Sequence, residues 1–218
     1  MNPLDLGVIG QPNRIAPVVQ DERMCAIHES AHAVFHQIFE NTNAHGRISM
    51  NEGDNGNWEG IVTRNTPLPD GAYAGFPDLA STQPYYWQQH CRRAWSILLC
   101  CFAGAAAELI HDGYPLGADS IISHPFASAD ASHATDVCRH FWPEAHQQTI
   151  LNLAAETAGQ LCQTPAIWAA INALADFLLV DARHKASIYE TSVIVRRYIT
   201  QNIEAPHADL AVSLARKA

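Results

Sequence analysis

Apolar residues recur at helical spacing along most of the chain, and this pattern predicts a mainly helical protein. The clearest case begins at Pro165, where apolar side chains fall on one helical face at 167, 168, 171, 174, 175, 178 and 179. The same pattern predicts helices over residues from about 22 to 40, 85 to 111, 128 to 141, 143 to 162 and 187 to 203.

Residues suited to helix ends support several of these boundaries. Asp21 and Ser128 are predicted to cap the N-termini of the first and third helices, since short polar side chains accept from free backbone N–H groups. Pro143 suits the start of the fourth helix. Gly113 follows the second helix and can adopt the left-handed conformation that ends it.

Two short stretches have the composition of β-strands rather than helices. RISM at 47–50 and WEGIVT at 58–63 flank an Asn/Gly/Asp-rich turn, which predicts a small β element beside the first helix. The segment 65–84 contains four prolines and is predicted to be a surface loop or flap.

Charge and hydropathy narrow the classes of partner. The chain carries 13 Lys and Arg against 22 Asp and Glu, a formal net charge of -9, without a basic run. We therefore expect neither nucleic acid nor an anionic membrane as a partner. The longest apolar run, 94–107, is shorter than the roughly 20 residues that span a bilayer, so a buried helix is expected. The N-terminus has no signal-peptide pattern, and we expect a cytoplasmic protein with free core cysteines.

The first predicted helix contains the sequence H-E-x-x-H, formed by His28, Glu29 and His32. Residues four apart on a helix are rotated by about 40° and separated by about 6 Å along the axis, so both imidazoles can bind one Zn²⁺. Glu29 lies beside that site and is the candidate general base. This motif predicts a zinc metalloprotease.

A catalytic zinc usually has three protein ligands, so a third must come from elsewhere in the chain. His36 is not expected to be that ligand, because eight residues of helix rise about 12 Å. The spacing of the other histidines indicates no second metal site. Two carboxylates remain as candidates, Glu108 near the end of the second helix and Asp130 in the first turn of the third.

Three sequence blocks then point to a family. HESAHA at 28–33, GAAAE at 104–108 and ASAD at 127–130, with AT at 134–135, resemble H-E-A-G-H-A, G-R-A-A-E and A-S-N-D followed by A-T. These are the motifs, in the same order, of the FtsH family peptidase domain (peptidase M41). The resemblance implies Asp130 as the third ligand and Glu108 as an acid that orients a ligand histidine.

The resemblance covers roughly residues 20–200, with departures. Ala31 and Ala105 stand where the family has Gly and Arg, and the segment between Glu108 and Asp130 is longer than usual. The chain also lacks the ATPase module and membrane helices that FtsH-like proteins use to unfold and deliver substrates. The WEGIVT strand resembles the family's edge strand, which implies that Gly60, Ile61 and Val62 bind the substrate backbone.

The expected fold class is mainly α with a small β-sheet, combining a zincin-like active-site helix with a C-terminal helical bundle. We expect one domain over 1–218, with a metal-site subdomain (1–142) and a helical subdomain (143–218). The expected function is a zinc-dependent endopeptidase acting on small or unfolded polypeptides, with a homo-oligomer or a separate unfoldase as compatible assemblies. The alternatives are a degenerate M41-like binding or scaffold protein, and a gluzincin-like peptidase with Glu108 as third ligand.

Overall fold

The computed structural model describes residues 20–40, 45–53, 56–64 and 84–216. The loop predicted at 65–84 lies outside the described residues except for Pro84, which is the first residue of a helix. The elements in chain order are α1 (Glu22–Phe35), a π-helical turn (His36–Glu40), β1 (His45–Glu52), β2 (Trp58–Arg64), α2 (Pro84–His111), α3 (Ala118–Ile122), a 3-10 turn (Pro125–Ala127), α4 (Ser128–Phe141), α5 (Glu144–Cys162), α6 (Pro165–Val180), β3 (Lys185–Ser187), α7 (Ile188–Tyr198) and α8 (Ala208–Leu214).

The fold is mainly helical with one small antiparallel sheet, as predicted. The sheet has the strand order β2-β1-β3. Gly60 in β2 pairs with Met50 in β1, while Lys185 in β3 pairs with Ser49. The third strand was not predicted, because its three residues are too few to show an alternating pattern. Among the described strands, β2 therefore forms one edge of the sheet.

The core is built around α2, which packs against α1, α4, α5 and α8. Trp95, Leu98 and Phe102 are completely buried in this helix. By length and composition, Tyr86–His111 is the one straight helix of the described residues that could cross a membrane, and 89% of its most apolar window is buried inside the protein. Such burial is typical of a core helix. On the other side of the core, α6 packs on α1.

Helix ends show where local patterns succeeded and failed. Asp21 caps α1 as predicted, with Oδ1 accepting from the Met24 N–H at 2.7 Å. Gly113 follows α2 with φ +72, the left-handed conformation expected of it. The cap predicted at Ser128 is wrong, since Ser128 is already helical and the cap position belongs to Ala127, which has no polar side chain.

The C-terminal part differs most from the predicted elements. The predicted helix over 187–203 ends at Tyr198, and the chain then forms α8, which was not predicted. Ser187 does cap α7, in a reciprocal arrangement in which its hydroxyl accepts from the Glu190 N–H. The stretch 114–127, for which no helix was predicted, contains α3 and the 3-10 turn. Each of these two elements has five or fewer residues, which is too short for a helical pattern of apolar residues to be recognised.

Candidate metal centre

Helix α1 places its two motif histidines one above the other on a buried face. His28 and His32 are 5% and 7% exposed, and their Nε2 atoms lie 3.0 Å apart. Their rings meet edge to face, with centroids separated by 4.7 Å. The helical spacing of the motif therefore directs the same nitrogen of each imidazole to one point, as expected for a shared metal ion.

The first turn of α4 brings a carboxylate to that point. Asp130 Oδ2 lies 3.4 Å from His28 Nε2 and 3.2 Å from His32 Nε2. Four ligands placed tetrahedrally at about 2.0–2.1 Å from zinc are separated from each other by about 3.3 Å, close to all three distances. His28, His32 and Asp130 thus form a group that could hold a metal ion.

Helix α2 contacts both imidazoles at Nδ1, the ring nitrogen that does not face the metal group. Glu108 Oε1 contacts Nδ1 of His28, and the backbone oxygen of Cys100 lies 2.7 Å from Nδ1 of His32. In the tautomer that carries its proton on Nδ1, each ring donates to one of these oxygens, and its Nε2 can bind a metal. Glu108, the other candidate for third ligand, is on the far side of the His28 ring, so Asp130 is the carboxylate that meets both Nε2 atoms.

Two glycines provide space around the site. A Cβ built on Gly104 in α2 would lie 2.5 Å from His28 Nε2. A Cβ built on Gly60 in β2 would lie 2.2 Å from Glu29 Cγ and 2.7 Å from Glu29 Oε1. Real Cβ atoms essentially never approach other atoms so closely, so a larger residue at either position would force His28, Glu29 or the backbone to shift.

Glu29 lies against the edge strand at Gly60, and its carboxyl interacts electrostatically with His28, His32 and Asp130. The residue is 7% exposed, and this burial raises the pKa of its carboxyl against the opposing attraction of His28 and His32. In the strand above it, Gly60 lies directly over Glu29, Ile61 is 55% exposed and Val62 is half-buried. Of the three predicted substrate-binding residues, Gly60 lies against the predicted base, and Ile61 and Val62 follow it in the same strand.

The charges of the metal group are strongly coupled. Burial opposes the charged form of His28, but hydrogen bonds to Asp130 and Glu108 outweigh it and raise the pKa of His28 to about 10. The pKa of His32 is also raised, again against burial, by the charge of Asp130. The two histidines in turn hold the pKa of Asp130 well below its usual range, despite its burial. Without a metal, the group retains protons that a cation would displace.

Two residues near the site were missed by sequence reasoning. Gln20 donates from Nε2 to Glu108 Oε1 at 3.2 Å, and His124 Nε2 lies 3.7 Å from Glu108 Oε2. Neither belongs to a motif, and Gln20 is 88 positions from Glu108 in sequence. His36, as expected, is outside the group that could hold a metal ion.

Comparisons with known proteins were negative: no family model matches the chain, and no curated protein matches it. The candidate metal centre therefore rests on the geometry of His28, His32 and Asp130.

Proposed function

We propose that this protein is a zinc-dependent endopeptidase of the M41 type, related in its catalytic plan to FtsH peptidase domains. The main support for this proposal is the position of Glu29. Glu29 follows His28 directly in α1, its carboxyl interacts electrostatically with His28, His32 and Asp130, and its side chain lies against Gly60 of the edge strand β2. A group held between a metal centre and a peptide-binding edge is suited to act as the base in peptide hydrolysis.

The donor set suits zinc. Two neutral imidazole nitrogens and one carboxylate are common zinc ligands, and three protein ligands leave one coordination position open, as in catalytic sites. When bound, zinc would polarise the scissile carbonyl and make the attacking water more acidic. The contacts of Glu108 with His28 and of the Cys100 oxygen with His32 keep the two rings oriented for this role.

Glu29 would carry the proton in this reaction. Its carboxylate would accept a proton from the attacking water and deliver it to the nitrogen of the departing amine. The carboxylate is buried and lies against Gly60, which limits its contact with bulk water. A purely structural metal site would have no need of a carboxylate there.

The outer edge of β2 supports binding of an extended peptide. The Trp58 N–H points away from β1, since it donates to the Gln20 carbonyl at 3.0 Å. Backbone groups alternate along a strand, so those of Gly60 and Val62 point toward the same outer side. A substrate strand could pair with them by strand addition and bring a peptide bond close to Glu29.

The substrates would be small, unfolded or delivered polypeptides. The sequence has no phosphate-binding G-x-x-x-x-G-K loop, so this chain would not drive unfolding with ATP by itself. A separate unfoldase or a homo-oligomer would be a compatible assembly.

The deciding experiment compares wild-type protein with Glu29→Gln for zinc content and for cleavage of casein. We expect about one zinc per chain in both proteins and hydrolysis by the wild type alone, because an amide cannot accept the proton. Zinc in both proteins with no cleavage by either would favour the binding or scaffold alternative. Equal turnover in the two would remove Glu29 as the base.

A further inference from the structure

Gln20 contacts both halves of the candidate site. It directly precedes the cap of α1, and it is 8% exposed. Its side-chain Nε2 donates to Glu108 Oε1 at 3.2 Å, and its backbone oxygen accepts the Trp58 N–H at 3.0 Å. One residue thus joins the end of α2 to the start of β2.

The side-chain contact acts on a group that orients a metal ligand. Glu108 Oε1 meets His28 Nδ1 as well as Gln20 Nε2, and Glu108 is 1% exposed. A buried carboxylate is stabilised in the orientation in which its oxygens accept hydrogen bonds, so a second donor to the same oxygen restricts rotation of the carboxylate. The direction of that oxygen then sets the orientation of the His28 ring.

The backbone contact acts on the strand above the base. Trp58 is two residues before Gly60, whose backbone lies against Glu29. The hydrogen bond to Gln20 holds the first residue of β2 to the N-terminus of α1, and therefore limits how far the strand can move from Glu29. The two contacts of Gln20 fix the metal ligand and the strand relative to the same short segment.

We propose that Gln20 is a positioning residue, which holds the Glu108–His28 pair in metal-binding orientation and ties it to the substrate strand. This inference rests on the proposed zinc site and deepens it. The competing view is that Gln20 only fills space at the start of α1. That view predicts a loss of thermal stability without a specific effect on the metal.

The test replaces the amide with an apolar side chain of similar size, Gln20→Leu. Zinc affinity and the rate of zinc loss are measured by competition with a chelator, and the Co²⁺-substituted protein gives an absorption spectrum of the site. Loss of a group that contacts a ligand directly costs about 10- to 100-fold in metal affinity. Gln20 acts one contact further out, so we expect an effect of about 3- to 10-fold and an altered Co²⁺ spectrum.

Gln147→Leu is the matched control, because Gln147 also donates its Nε2 to an oxygen, that of Trp142 at 3.1 Å, away from the metal group. It should leave zinc affinity unchanged. If Gln20 acts through Glu108, Gln20→Leu should lower zinc affinity only slightly further in a protein that already carries Glu108→Gln. The effects of the two substitutions on zinc affinity would then be non-additive in a double-mutant cycle.

Wild-type zinc affinity in Gln20→Leu, or an additive double mutant, would overturn the positioning role while leaving the zinc site intact. A wild-type protein that binds no zinc would instead remove the proposed function and this inference together.

Discussion

Gly60 is the point where β2 crosses the side chain of Glu29, and Gly60→Ala tests whether this contact matters for catalysis. The added Cβ would lie 2.2 Å from Glu29 Cγ, about 1.3 Å short of an ordinary carbon–carbon contact of roughly 3.5 Å. Because Glu29 is buried, either its carboxylate or the strand must move by about this distance. A misplacement of about 1 Å can lower a rate by 10²-fold. Overpacking should also cost about 1–3 kcal/mol of stability.

The assay is kcat/KM for a short peptide, measured with zinc content and thermal unfolding. We expect a loss of about 100-fold with the metal retained, since the three atoms nearest to the added Cβ all belong to Glu29 and none to a metal ligand. Gly117→Ala is the control, because the nearest side-chain atom to its Cβ would be Ser120 Oγ at 4.0 Å. A folded, zinc-loaded Gly60→Ala protein with wild-type kcat/KM would refute the assignment of Glu29 and β2.

Three further predictions concern the metal and the strand. Asp130→Ala should abolish tight zinc binding, whereas Glu108→Gln should weaken it by about 10- to 100-fold; the reverse order in a chelator titration would favour Glu108 as ligand. Zinc affinity should rise by about tenfold per pH unit for each proton that zinc displaces. The rise should end as the pH approaches the raised pKa of His28, about 10. A zinc affinity that does not change with pH in competition titrations would contradict this. Ile61→Pro should raise KM by disturbing β2, and unchanged kinetics in a well-folded variant would count against a substrate strand.

The sequence was most informative where structure and chemistry depend on residues close together in the chain. Asp21 caps α1 through an N–H three residues away, and the motif histidines share a face because they are four residues apart. The burial of the part of α2 between 94 and 107 also follows from its nearly continuous apolar composition. These features need only helical geometry, which a short window of sequence contains.

Contacts between distant segments could be expected only through the resemblance of whole motifs. That resemblance led to Asp130 as the third ligand, and spacing alone left Glu108 as an equal candidate. Gln20 and His124 belong to no motif, so their contacts with Glu108 could not be inferred. β3 was missed for a related reason, since it is stabilised by pairing with β1 rather than by its own sequence.

The packing of α1 against α2 explains the spacing of the residues in α2 that contact the motif histidines. Cys100, Gly104 and Glu108 are four residues apart and therefore follow one face of α2 over successive turns. Glu108 contacts His28 and Cys100 contacts His32, so the two helices are antiparallel at this contact. Gly104, between them, makes room for the His28 ring. The interface between α1 and α2 thus orients both imidazoles independently of Asp130, which comes from α4. Gly104→Ala should therefore displace the His28 ring while Asp130 stays in place.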